Sequence, residues 1–278
     1  MTIEQLRQHY TQHQRLTDHD PSGERIILEN VTRFIWHPPK AGTVLYSSLT
    51  KDNADEAIEA EIEFFKSLDY AFEWKLFSYD TPDDMRERLL KYGFDEDEKE
   101  AVMVLPIADA PEKLLQAVTI DIRKATTREM FLDVDKVYYE VWKDDPFADA
   151  SPHKMSEWFL PRYEKSPESI SMYVVYVDGQ PVSYGRVEFA DDNPYASIWG
   201  GSTLEAYRRR GIYTQLVATR LQEAKARGCQ YLTVDARQNT SMPILEKLGF
   251  IRIAYATAFN WESGVSDGGN EHQELNNK

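Results

Sequence analysis

Three arginines followed by a glycine, Arg208-Arg209-Arg210-Gly211, stand at the head of an amphipathic stretch and constrain this chain more than any other feature. From Ile212 onward the apolar residues Ile212, Leu216, Val217, Leu221 and Ala224 fall on one stripe of a helix. Gln222, Glu223, Lys225 and Arg227 lie largely off that stripe, and Gly228 supplies the stop. A glycine at the start of such a helix lets backbone come close to an anion. There the first N–H groups have no partner inside the helix, and the helix dipole adds partial positive charge. The guanidiniums contribute full charge and forked donors. Because the formal net charge is −15 over 278 residues, a local cluster of three cations marks the place for an anionic ligand such as a pyrophosphate.

The elements around this helix follow from the residue pattern. Stretches 171–177 and 181–189 alternate as a hairpin about Asp178-Gly179, and 195–204 reads as a third strand leading into the arginines. After the helix, 231–234 is β-branched and aromatic and reads as a buried strand. A short helix over 242–248 ends at Gly249-Phe250, and 251–261 reads as a closing strand.

Two motifs in this order resemble the signatures of the GNAT superfamily of acetyl-CoA-dependent N-acyltransferases. Arg208-Arg209-Arg210-Gly211-Ile212-Tyr213 is similar to the family's Arg/Gln-x-x-Gly-x-Gly/Ala turn between a strand and a long helix. Glu246-Lys247-Leu248-Gly249-Phe250 is similar to its later helix closing on Lys-x-Gly-Phe. The resemblance covers roughly residues 115–262. It implies an α/β (α+β) fold with a mixed, mostly antiparallel central sheet flanked by helices. It also implies acetyl-CoA as acyl donor and a primary amine as acceptor, attacking directly in a ternary complex. By the same resemblance, Gly201, Ser202, Thr203 and Leu204 form the strand edge on which the pantetheine arm pairs. Arg208, Arg209, Arg210, Gly211, Ile212, Tyr213 and Thr214 then hold the pyrophosphate. A later contact falls to Asn239 or Ser241, since Asn239 lies one residue from the usual spacing. Gly200-Gly201 within a strand also signals a bulge or a close backbone approach.

Two positions depart from the family pattern. Tyr213 stands where a small residue is usual, leaving less room beside the phosphates. Leu245 stands where many members carry a tyrosine that protonates the departing thiolate. Another group or water then does that work, or protonation is dispensable, or the domain binds without catalysing. The acids placed to take a proton from the amine are Glu188, near the end of one strand, and Asp235, at the end of another, although strand-end carboxylates are also ordinary solvated groups. Tyr255 or Tyr213 are the phenols available as proton donors. The alternative function is a non-catalytic CoA-binding or partner-binding protein. A different nucleotide-binding enzyme is disfavoured, because no Gly-Lys-Ser/Thr loop and no Gly-x-Gly-x-x-Gly occurs near a strand end.

The N-terminal part echoes these elements. Leu89-Leu90-Lys91-Tyr92-Gly93-Phe94 repeats the spacing of Leu245 to Phe250, after a strand at 44–49, a helix at 55–68 and a strand at 70–77. Gly211 precedes Gly249 by 38 residues, and the same interval back from Gly93 falls on Asp55, among Asp52 and Glu56. Carboxylates at a helix start suit its dipole but repel a pyrophosphate. The expectation is two GNAT-like domains in tandem, with 1–108 a degenerate copy lacking a cofactor site, a linker at 106–113, and 114–265 the acetyl-CoA-binding domain. A six-residue echo also fits an unrelated α/β domain. Residues 131–142 read as a helix, and Trp142, Phe147, Trp158 and Tyr163 would either shape an acceptor pocket or pack helices on the sheet. The polar tail 266–278 reads as disordered.

Apolar content of 42 % supports substantial cores, and a pI near 4.9 argues against a nucleic-acid or anionic-membrane surface. The single cysteine, Cys229, excludes an internal disulfide framework or a multi-cysteine zinc site. The histidines show no ligand spacing, so no metal is expected; His9 and His13 share a face that reads as solvated. The first residues lack an apolar signal core, and no apolar run approaches the roughly 20 residues needed to span a bilayer. The expectation is a soluble cytoplasmic protein. Its acidic surface suits a cationic amine such as an aminoglycoside, a polyamine or a basic peptide end, without choosing among them.

Overall fold

The computed structural model describes residues 1–18, 23–36, 40–144 and 151–262. The chain begins with α1 (Ile3–Tyr10), which continues as a π-helical turn over Thr11–Leu16. There follow β1 (Gly23–Ile27), β2 (Val31–Trp36), β3 (Ala41–Ser47), α2 (Ala54–Ser67), β4 (Ala71–Phe77), α3 (Met85–Lys91), β5 (Asp95–Glu96) and β6 (Glu100–Pro106). The remainder is α4 (Glu112–Leu115), β7 (Asp121–Lys124), α5 (Arg128–Trp142), α6 (Lys154–Lys165), β8 (Ile170–Val177), β9 (Gln180–Phe189), β10 (Tyr195–Thr203), α7 (Ile212–Ala226), β11 (Tyr231–Arg237), α8 (Met242–Lys247) and β12 (Ile251–Trp261). No helix among the described residues is long and apolar enough to cross a membrane.

The chain divides into two compact units. Among the described residues, the larger takes in Met1–Glu24, Phe77–Tyr79 and Glu98–Ala256, and the smaller takes in Arg25–Leu76, Asp80–Asp97 and residues 257–262. In the larger unit the strands run β7-β8-β9-β10-β11-β6-β12. Neighbours are antiparallel except β10 and β11, which are parallel. One face carries α7 and α8. Leu216, Val217, Leu221 and Ala224 bury there against Val187, Ile198, Leu232 and Val234, as the stripe in the sequence requires. On the other face, Phe131, Val134 and Phe159 from α5 and α6 pack on β8 and β9, while Leu6 and Tyr10 of α1 join Val102, Val104, Tyr195 and Tyr231. The expected mixed, mostly antiparallel sheet flanked by helices is the architecture found.

In the smaller unit the order is β1-β2-β3-β4-β12, with β5 pairing the end of β12. Here β3 and β4 are parallel around α2, and Ile58, Phe65, Phe72, Trp74, Leu89 and Phe94 form its core. The succession β3, α2, β4, α3 thus has the order and strand sense of β10, α7, β11, α8. The helix start differs from the ungapped expectation. Asn53, not Asp55, is the N-cap of α2, and β3 begins at Ala41 rather than 44. Asp55 instead pairs with Arg88 at 2.9 Å and Lys91 at 3.9 Å.

The division also departs from the boundary read at 106–113. The strand expected over 101–105 forms as β6, but it pairs with β11 from Glu100↔Arg237 to Pro106↔Tyr231 and so belongs to the larger sheet. The proline-bearing stretch after it folds into α4, whose Leu114 is fully buried in the α7 core. The N-terminal helix belongs to the same unit through Leu6 and Tyr10. The expected tail 266–278 and Phe147 lie outside the described residues.

Candidate functional site

β10 and β11 are joined at only three positions, Tyr195↔Tyr231, Ala196↔Leu232 and Ser197↔Thr233. Beyond that rung β10 continues to Thr203 alongside β9, and β11 continues to Arg237 alongside β6. Two parallel neighbours therefore part, and the edge of β10 that faced β11 is left without its ladder partner. Three of the four residues expected at such an edge, Gly201, Ser202 and Thr203, belong to this parted segment of β10, and Leu204 follows it.

A bulge shapes that segment. Its register shifts between Gly200 and Ser202, with φ of 68° at Gly200 and 93° at Gly201. A Cβ at Gly200 would stand 3.0 Å from the Tyr184 ring, and one at Gly201 would stand 2.7 Å from the Tyr213 ring. The two tyrosines clasp the bulge, and only glycine fits between them. The ring of Tyr213, expected to crowd the phosphates, is turned against Gly201. Burial pushes its phenol up, and the neighbouring Arg220 cation opposes that rise.

The strand ends in a short 3₁₀ turn, Glu205–Tyr207, and the arginines follow. Arg208 Nε donates to the Thr203 carbonyl at 3.0 Å, and Arg210 Nη2 donates to the Ala206 carbonyl at 2.9 Å while its guanidinium stacks over Tyr207. Arg209 and Gly211 both have left-handed backbone, with φ of 62° and 78°. Gly211 is the N-cap of α7, with no side chain to satisfy the first helical N–H groups. All three arginines and Gly211 are exposed. Left-handed residues on either side of Arg210, followed by a helix start, make a geometry of the kind that can turn backbone N–H donors toward an anion. Ile212 is buried beneath this turn, and Tyr213 and Thr214 are partly exposed. Asn239 lies exposed in the turn after β11, and Ser241 caps α8, its hydroxyl 3.5 Å from the Arg237 carbonyl.

The candidate acids and phenols are placed differently from one another. Glu188 pairs across from Ser197, beside the last joined rung, but Arg186 Nε donates to it at 2.6 Å and Arg162 sits at 3.1 Å. Burial pushes its carboxyl up, yet the two guanidiniums prevail and hold it below the usual carboxylate range. Asp235 lies on β11 just past that rung, half-buried, on the face covered by α1. There it contributes, after burial itself, to keeping the Tyr10 phenol well above its ordinary value. Tyr255 is on β12, separated from the parted edge of β11 by β6, and its hydroxyl accepts from Arg252. Leu245 is fully buried in the α7 core.

Among the aromatic residues, Trp142 at the end of α5 lies under the Arg237 guanidinium at 4.8 Å, at the far end of β11. Trp158 is 52 % exposed beside Lys154, and Tyr163 packs on Phe131 within the helix core. The sequence reading missed the N-terminal cluster. His9 Nδ1 is 2.9 Å from the Tyr195 hydroxyl, and the His9 and His13 rings are 4.5 Å apart and half-buried, so this face is packed on the fold and only partly exposed. Their i, i+4 spacing was the available signal. Cys229 is half-buried, and burial pushes its thiol up. Among the described residues no group of three or more metal-ligating side chains comes together.

Residues 128–250 match the family described as Acetyltransferase (GNAT) family. That match runs from the start of α5 to Phe250, takes in both motifs and covers under half of the chain. The fold is similar to that of a GCN5-related N-acetyltransferase from Kribbella flavida, at 17 % identity, TM-score 0.63 and coverage of 91 % of this chain and 94 % of that one. It is also similar to a functionally unknown conserved protein from Staphylococcus epidermidis, at 16 % identity, TM-score 0.62, and coverage of 86 % and 94 %. A tandem GNAT protein from the clavulanic acid biosynthesis pathway aligns at 12 % identity, TM-score 0.59, and coverage of 90 % and 86 %. At these identities the likeness is one of fold. No curated protein matches the chain.

Proposed function

We propose, from the GNAT-family match over residues 128–250, that this protein is an N-acetyltransferase taking its acyl group from acetyl-CoA and passing it to a primary amine. The observation that carries this reading is the parting of β10 from β11 directly ahead of the left-handed arginine turn. An acyl-CoA is a long thiol arm ending in a pyrophosphate, and these two features are adjacent in the order that such a molecule needs. Arg208, Arg209, Arg210 and the N–H groups of Gly211, Ile212, Tyr213 and Thr214 would hold the pyrophosphate. The edge formed by Gly201, Ser202, Thr203 and Leu204 would receive the arm, with Asn239 or Ser241 at the mouth of the gap. When bound, acetyl-CoA supplies the reactive thioester.

The chemistry asks for a neutral amine and a protonated leaving group. Asp235 is the better base of the two acids, since a carboxylate gripped by two guanidiniums, as Glu188 is, has little affinity for a further proton. Glu188 then serves to fix Arg186 and Arg162 on the acceptor side. Tyr213 is the phenol beside the bulge and is the better candidate to give the sulfur its proton, a role the buried Leu245 cannot fill. The attack is direct, from amine nitrogen to acyl carbon, in a ternary complex. The smaller unit binds no acetyl-CoA, because the start of α2 carries Asp52, Asp55 and Glu56 where α7 carries arginines.

Calorimetric titration with acetyl-CoA, and separately with CoA, tests this reading. One site per chain is expected. Two sites would overturn the claim for the smaller unit, and none would overturn the donor assignment. The buried Leu245 favours one second reading, a CoA-binding protein without turnover. Release of free thiol with any member of a broad amine panel excludes it.

A further inference from the structure

Behind the bulge in β10 lies a buried cation that the chemistry above does not use. Arg220, two turns along α7, is 1 % exposed, and no carboxylate among the described residues pairs with it. Its Nε donates to the Leu216 carbonyl of its own helix at 3.0 Å. Its Nη1 donates to the carbonyls of Arg186 at 3.3 Å and Trp199 at 3.2 Å. Those two residues are direct cross-strand partners, on β9 and β10, at the step just before the bulge. A bulge breaks the ladder locally, and buried carbonyls then need another donor. One guanidinium nitrogen serves both.

The packing around this arrangement is tight. A Cβ at Gly185 would lie 3.0 Å from Arg220 Nη1, and one at Gly201 would lie 3.8 Å from Nη2. Nη2 is buried and has no hydrogen-bond partner among the described residues. Burial lowers the guanidinium to about 10, which still leaves it charged at neutral pH. An unpaired buried charge is costly to keep, so its retention against the one irregular stretch of β10 calls for a reason.

We propose that Arg220 is a positioning residue for the acyl donor. By tying the Arg186 and Trp199 carbonyls together from behind, it holds the Gly200–Ser202 bulge open and sets the direction of the β10 edge that receives the thiol arm. This inference rests on the donor reading given above. Without the guanidinium the strand can satisfy its carbonyls by closing the bulge. A one-residue slip of that kind turns every following side chain and N–H of the strand to the opposite side. The arginine turn, which has its own bonds to Thr203 and Ala206, would keep its geometry.

The test compares Arg220→Met and Arg220→Lys with the unaltered full-length protein. Each is titrated with acetyl-CoA and with ADP, which carries the pyrophosphate but no arm, and hydrogen exchange is followed at residues 199–204. The expected result is a loss of at least tenfold in acetyl-CoA affinity, ADP affinity within twofold, and faster exchange at the bulge. Lysine should fail to rescue, because it keeps the charge but lacks the fork. A purely structural role would lower both affinities together or neither, and either result overturns the proposal. Should the methionine variant not fold, the lysine variant and Gly185→Ala, which displaces Nη1, carry the same comparison. If the unaltered protein binds ADP but not acetyl-CoA, the donor reading fails, while the exchange data still decide whether Arg220 holds the bulge.

Discussion

Tyr213 packs closely on Gly201: a Cβ on the glycine would stand 2.7 Å from the tyrosine ring, and the glycine has φ of 93°. Both facts oppose any side chain at residue 201. Gly201→Ala therefore introduces a steric clash and a strained backbone, expected to cost about 1–3 kcal/mol in stability. Acetyl-CoA affinity should fall with it. Adding Tyr213→Ala removes the clash but not the backbone strain, so the double variant should recover part of the loss. A double-mutant cycle by urea unfolding and calorimetry measures that coupling. Strict additivity would show that the contact does not matter.

The two acids make opposite predictions. Asp235→Asn should lower kcat by roughly 10²- to 10⁴-fold, the range for loss of a general base, while leaving acetyl-CoA affinity unchanged. Glu188→Gln should alter mainly the KM for the amine, because it removes the ion pairs that hold Arg186 and Arg162 on this strand. The split between kcat and KM separates the two. The reverse pattern would exchange the roles.

Much of this local structure was legible because its patterns are short-range. The Arg208 to Gly211 turn, the stripe on α7 and the Gly249-Phe250 stop are short-range patterns, and each formed where the residues indicated. The parting of β10 from β11 is a relation between strands far apart in sequence, and nothing in either stretch alone announces it. The same holds for β6. Its apolar run Ala101 to Leu105 reads as a strand in isolation, but only pairing with β11 decides which sheet it joins. Arg220 was invisible for a different reason. An arginine on the apolar side of a helix reads as an interruption of the stripe until the fold brings two strand carbonyls, those of Arg186 and Trp199, within its reach. Glu188 was legible as a strand-end acid, and its two guanidiniums were not, since Arg162 comes from α6, which packs on that strand only in the fold.

Glu188 also predicts a pH dependence of stability. Its folded-state pKa is held below the ordinary glutamate value, so in the acidic window between the two the unfolded chain binds the extra proton. Its contribution is complete above about pH 4.3, the ordinary glutamate value, and is lost as the pH falls through the lower folded value. Urea unfolding at pH 3, 4 and 6 should therefore show a steeper acid loss for the unaltered protein than for Glu188→Gln. Equal slopes would mean that the guanidinium pairs do not hold in solution.

The three arginines are not equivalent, and charge reversal should expose the difference. Arg208 and Arg210 each spend a donor on a backbone carbonyl of the turn, so reversing either one disturbs the turn as well as the ligand. Arg209 is exposed, and among the described residues its guanidinium makes no hydrogen bond or ion pair within the protein, so its whole charge is available to an anion. Arg209→Glu should thus weaken acetyl-CoA and ADP alike, by roughly 10- to 100-fold at low salt, the worth of a charge-assisted contact to phosphate. Because the site is open to solvent, raising the ionic strength should shrink the difference between variant and parent. Its midpoint of thermal unfolding should stay put, whereas Arg208→Glu should lower it by loosening the Thr203 carbonyl. Unchanged ADP affinity in Arg209→Glu, with the fold intact, would remove the arginine turn from the donor site.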